Sequence, residues 1–143
     1  MRRVLTLNLT VLALTVPVAG ALGTTAASAA ATRRVIVANK SFTGPLGQAD
    51  RWGNVQVTIQ VRKTTTTTNG KSTVKRQIVS IKVPVYPNHT NRSVYISNNA
   101  LPELVQEALK AQSAHIYIVS GATYTSDAFA GSLQAAIAKE KAW

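Results

Sequence analysis

The stretch V-S-G-A-T-Y-T-S-D at 119–127 decides how the chain is read, because the apolar pattern changes across it. Before it, "AHIYIV" at 114–119 is a short apolar run of strand length. After it, "SDAFAGSLQAAIAKEK" puts Phe129, Leu133, Ala136 and Ile137 on one face at helical spacing. The junction therefore reads as a strand-to-helix turn, with Ser126 or Thr125 as N-cap and Asp127 in the first turn. It gathers four hydroxyls, on Ser120, Thr123, Thr125 and Ser126, around Gly121 and Ala122. A helix N-terminus offers unpaired N–H groups and a partial positive charge, and the small residues let an anion approach closely. The stretch is a candidate phosphate site on that ground. The same residue types also make an ordinary turn and cap, and by themselves they leave both readings open.

Upstream, "GNVQVTIQVRK" at 53–63 alternates strictly, with Val55, Val57, Ile59 and Val61 on one face of a half-buried strand. "TTTTTNGKST" at 64–73 carries an Asn69-Gly70 turn signal and reads as an extended hairpin connection, in which the Thr tract either extends the strands as a β-ribbon or is mobile, the second being favoured at its tip. "QIVSIKVPVY" resumes alternation through Val79, Ile81, Val83 and Val85, and Pro84 marks an edge or a bulge. "PNHTNRS" at 87–93 reads as a loop. In "LPELVQEALKAQ", Leu101, Leu104, Val105, Ala108 and Leu109 fall at helical spacing, with Pro102 in the first turn. Residues 30–52 form an N-terminal segment with one candidate edge strand around Val35-Ile36-Val37, then "GPLGQ" as a loop. The expected fold is α+β: a small antiparallel or mixed sheet with helices packed on one face, in the order β-β-α-β-α.

The first thirty residues have a different character. Arg2 and Arg3 precede an apolar region up to about Leu22, and Ala27-Ser28-Ala29 gives an A-x-A cleavage pattern, so 1–29 is expected to be a signal peptide. The alternative is a retained anchor, which Thr6, Asn8, Thr10, Thr15 and Pro17 disfavour. Cleavage after Ala29 leaves about 114 residues, enough for one domain with one core. The chain has no Cys, which excludes disulfides, thiolate metal sites, iron–sulfur clusters and a Cys nucleophile.

The formal charge is +11, or +9 once Arg2 and Arg3 are removed, against only five acids. Such a chain adheres to polyanions, here expected to be an anionic envelope surface. No nucleic-acid partner is expected, because the cations are scattered along the chain without interleaved aromatics. The five acids form no suggestive pair, and His89 and His115 have no carboxylate neighbour in sequence, so hydrolytic chemistry and a metal site find no support. "NHT" at 88–90 and "NRS" at 91–93 match glycosylation sequons by pattern alone.

The sequence "SGATYTS" at 120–126 resembles the signature of the FMN-binding domain family. The likeness extends to "RWGNVQVTIQV", "ALPELVQEALKAQSA" and "SDAFAGSLQAAIAK", in that order, over 53–143 as the FMN-binding domain. The resemblance implies FMN as cofactor, joined to Thr123 through a phosphoester by a flavin transferase that uses FAD and releases AMP. Non-covalent FMN is the other form it allows. By the same resemblance Ser120, Gly121 and Ala122 shape the loop, while Thr125 and Ser126 donate to phosphate oxygens. Trp52, Tyr86 and Arg51 are candidate flavin contacts near strand ends. Two features depart from the pattern: the family has an acid three residues before the Ser, associated with recognition by the transferase, where this chain has Tyr117, and the Thr tract at 64–68 is an insertion expected at a hairpin tip.

The function so implied is an exported, extracytoplasmic electron carrier, loosely membrane-associated, rather than a stand-alone enzyme. Its partners would be the transferase and a membrane or extracellular electron donor and acceptor. The alternatives are a cofactor-free basic envelope-binding module and a flavin-dependent reductase.

Overall fold

The computed structural model describes residues 32–143, so the expected signal peptide over 1–29 lies outside the described residues. The elements run β1 (Arg33–Thr43), β2 (Gly47–Gln48), a 3₁₀ turn (Asp50–Trp52), β3 (Asn54–Thr68), β4 (Lys71–Val85), α1 (Asn91–Ala111) and α2 (Thr123–Lys141). The fold is α+β, with a four-stranded antiparallel sheet in which β1, β2 and β4 all pair with β3. β2 runs antiparallel to β3, with Gly47 opposite Val55 and Gln48 opposite Asn54. No helix among the described residues is long and apolar enough to cross a membrane.

The chain divides into two compact units. The larger comprises Lys40–Val61 and Gln77–Trp143 and contains the core. Val55, Val57, Ile59 and Val61 are all fully buried, as the alternation of β3 predicts. They meet Leu101, Leu104 and Ala108 of α1 and Phe129, Leu133, Ala136 and Ile137 of α2 in one cluster. In β4 the buried residues are Ile78 and Ile81 and Val85 is exposed, so the expected period-2 face is only partly realised. The smaller unit takes in Arg62–Arg76 and the described residues 32–39. There the Thr tract is strand, not a mobile tip. β3 and β4 continue to a two-residue turn at Asn69-Gly70 with φ of 51° and 78°, the primed geometry that suits the twist of paired strands.

α2 is seated on the larger unit by a close backbone approach. A Cβ on Gly44 would overlap the carbonyl and hydroxyl of Ser132, and one on Gly47 the carbonyl of Ala128. The chain between β1 and β2 therefore lies directly on the helix backbone. The buried Ser132 hydroxyl accepts from the Val57 N–H at 2.9 Å and donates to the Pro45 carbonyl at 2.7 Å. It thereby satisfies two backbone groups where the β1 edge gives way to β2.

Three expectations are corrected. First, α1 starts at Asn91, not near Leu101, so "PNHTNRS" is a loop only up to Thr90. Thr90 accepts from the Ser93 N–H and Ser93 Oγ accepts from the Thr90 N–H, each at 3.0 Å, a reciprocal capping box. Pro102 consequently lies inside the helix. Second, residues 114–119 carry no strand, so α2 follows α1 with no strand between them. Their backbone is met by side chains: the Tyr117 N–H donates to Glu107 Oε1 at 2.9 Å and the Val119 N–H to Ser126 Oγ at 3.1 Å. The backbone of Ile78 on β4 is engaged by the Gln112 amide, which accepts from its N–H at 2.8 Å and donates to its carbonyl at 3.0 Å. That amide occupies ladder groups a further strand would need. Third, the N-cap of α2 is Ala122, and Asp127 falls beyond the first turn.

Replacing Ser132 by Ala strands the buried Val57 N–H and removes the donor to the part-buried Pro45 carbonyl, and should cost about 2 kcal/mol in urea unfolding. Gly47→Ala, which forces a methyl into the α2 backbone, should cost roughly 1–3 kcal/mol in the same measurement.

Candidate functional site

Residues 119–122 form a turn closed by the Ala122 N–H donating to the Val119 carbonyl at 3.0 Å. Gly121 occupies its third position with φ of 81°, the sign a type II turn requires there and one that an L side chain adopts only with strain. Ser126, one helical turn later, locks this turn to α2: its hydroxyl donates to the Ala122 carbonyl at 2.9 Å and accepts from the Val119 N–H. Ser126 is buried and lines neither cleft described below; it builds the loop from behind.

The start of α2 is left open. Ala122 has no side-chain oxygen to cap with, and the first helical bond runs from the Ser126 N–H to the Ala122 carbonyl at 2.9 Å. The N–H groups of Thr123, Tyr124 and Thr125 therefore have no intrahelical acceptor. Thr123 is exposed at the first helical position. Thr125 is 4% exposed, and its hydroxyl has no hydrogen bond among the described residues. An uncapped helix end beside the unengaged hydroxyl of a largely buried threonine suits an anion with several acceptor oxygens.

Two concavities meet at this loop. A small one, about 30 Å³, is lined by Trp52, Pro87, Ser93, Thr123, Tyr124 and Thr125. A larger cleft, about 510 Å³, is lined by Arg92, Tyr95, Asn99, Val119 and Ser120. Ile96, Gly121 and Ala122 line both. Trp52 has two cations near its ring, with the Arg51 and Arg92 guanidinium carbons 5.5 and 5.8 Å from its ring centroid. Of the three aromatic and basic contacts expected from sequence, Trp52 lines the site and Arg51 reaches it through Trp52. Tyr86 is 42% exposed and lines neither cleft.

Sequence reasoning missed Arg92, Tyr95, Ile96 and Asn99, all on the first turns of α1. The signal that would have found them is the T-x-x-S spacing of Thr90 and Ser93, which marks a helix start where a loop was expected. Among the described residues no group of three or more His, Asp or Glu side chains could hold a metal ion.

Residues 50–138 match the family model of the FMN-binding domain, well over half of the chain. The chain belongs to the FMN-binding domain family. Its cofactor is FMN, and the protein is a flavin-binding one. No curated protein matches the sequence. The site of this flavin domain fits the group on its own geometry. The cleft lies within the roughly 300–1,000 Å³ typical of ligand sites. The open end of α2 and Arg92 would supply positive potential for a phosphate, and Trp52 and Tyr95 would supply aromatic surface.

Since the turn depends on Gly121, Gly121→Ala should destabilise the flavin domain by about 1 kcal/mol and weaken FMN retention, read by thermal unfolding and flavin fluorescence.

Proposed function

We propose that this protein is an exported electron carrier whose FMN is joined through a phosphoester to Thr123. The observation that carries this reading is the exposed Thr123 at the first position of a helix whose N-terminal N–H groups are uncapped. An alcohol is the group that forms a stable phosphoester, and the diester keeps one negative charge that the open helix end favours. Attachment forms the bond from Thr123 Oγ to phosphorus and breaks the pyrophosphate bond of FAD. AMP leaves and the hydroxyl proton is released, with no change of oxidation state. A flavin transferase supplies the activated donor.

Bound FMN supplies the redox chemistry, exchanging one or two electrons with partners. The chain's own residues bind and orient. Thr125 and the N–H groups of 123–125 would hold the phosphate oxygens, Arg92 would add charge along the cleft, and Trp52, with Arg51 and Arg92 near its ring, would form part of the wall. The rim is open, with Tyr95 and Tyr124 72% and 55% exposed, which supports electron exchange with a docked partner over enclosure of a small substrate. Tyr117, where the family pattern has an acid, is exposed, and its N–H bonds the carboxylate of Glu107. An acid from α1 thus sits beside position 117.

Co-expression with a flavin transferase should give in-gel fluorescence that survives denaturation and one added FMN by intact mass. Thr123→Ala should abolish both and Thr123→Ser should retain them. A wild-type chain that stays unmodified but binds free FMN would overturn the covalent form alone. Restoring the family's acid with Tyr117→Asp should raise the modified fraction. Rapid turnover of a soluble donor by the loaded protein without a partner would point to a reductase instead.

A further inference from the structure

The cations, scattered along the sequence, are not evenly shared between the two units. In the smaller unit the described residues 32–39 and 62–76 carry seven cations (Arg33, Arg34, Arg62, Lys63, Lys71, Lys75 and Arg76) and no acid. In the larger unit, nearly four times as long, seven cations stand against all five acids of the chain. The smaller unit therefore holds +7 and the larger +2. None of its described residues is buried, so its strands enclose no core of their own. A segment of this kind presents a surface.

The register of the hairpin says what that surface offers. The two-residue turn sets Thr67 opposite Ser72, and their hydroxyls are 2.8 Å apart. Pleating then puts Arg62, Lys71 and Lys75 on one face with Thr64, Thr66, Thr68 and Thr73 between them. Lys63, Val74 and Arg76 occupy the other face. Positive charge is thus present on both faces, interleaved with hydroxyl donors suited to phosphate oxygens. A flat bilayer engages one face and rewards inserted apolar or aromatic side chains. Among the described residues of this unit Val74 is the only exposed large hydrophobic one, and none is an aromatic for stacking on bases.

We propose that this hairpin is a docking arm for a linear phosphodiester polymer without bases, of the poly(glycerol phosphate) type, held by charge and hydroxyl contacts on both faces. The proposal stands on the smaller unit alone and is independent of the flavin reading.

The test is binding of the full chain to poly(glycerol phosphate) by fluorescence anisotropy as salt is raised. Saturable binding that weakens linearly in log salt is expected. Lys71→Gln/Lys75→Gln should lose about tenfold or more in affinity, with a log–log salt slope shallower by about 1.4, from roughly 0.7 per phosphate contact on a single-stranded polyanion. The charge-matched control, Lys110→Gln/Lys141→Gln in the larger unit, should change affinity less than threefold, and Thr123→Ala should leave it unaltered. Equal losses in the two double variants would show that net charge alone acts and would overturn the arm. So would capture by vesicles containing phosphatidylglycerol with no polymer binding, or a duplex DNA complex that persists at a salt concentration that releases the polymer.

Discussion

The buried hydroxyl of Ser132 is the contact on which the rest of the larger unit depends. It takes the N–H of Val57 from the central strand and gives its proton to the carbonyl of Pro45, so a helix side chain completes the backbone bonding of the sheet. This is possible only because Gly44 and Gly47 let the chain between β1 and β2 lie against the α2 backbone without a Cβ between them. The depth and rotation of α2 on the sheet follow from that seat. Since Thr123, Tyr124 and Thr125 are the first residues of the same helix, its seat also sets where their N–H groups stand.

The other end of α2 is organised by an unequal use of hydroxyls. Ser126 is consumed in holding the Val119–Ala122 turn, whereas Thr123 is exposed and Thr125 is buried without a partner among the described residues. A helix that ended in a conventional Ser or Thr cap would have satisfied the same N–H groups internally. Leaving Ala at the cap forgoes roughly 1 kcal/mol of local stability and keeps those donors open to a ligand. α1 completes the cleft by contributing Arg92, Tyr95 and Ile96 from its own capped first turns, so both walls are helix starts.

Much of this was legible in one dimension. Strict alternation in β3 and the helical spacing of Phe129, Leu133, Ala136 and Ile137 each reflect a single buried face, and burial follows both patterns closely. The S-G-A-T stretch marked the loop, because a positive-φ glycine and small neighbours are local requirements. What failed was non-local. The apolar run at 114–119 had the composition of a strand, yet its N–H groups found Glu107 and Ser126, and the Gln112 amide took the backbone groups of Ile78. Arg92 and Tyr95 were hidden because a capping box of Thr and Ser looks like an ordinary polar loop until the helix after it is seen.

The sequence by itself determined the class of fold, the family, and which residue types meet at the loop, since these follow from local periodicity and short-range turn chemistry. Only the tertiary structure decided which hydroxyl is spent on the scaffold and which stays open, because that depends on partners brought together by folding. It also decided where the charge lies. Cations separated by up to 43 positions, from Arg33 to Arg76, share one unit without an acid, since strand pairing sorts residues by register and not by their order along the chain.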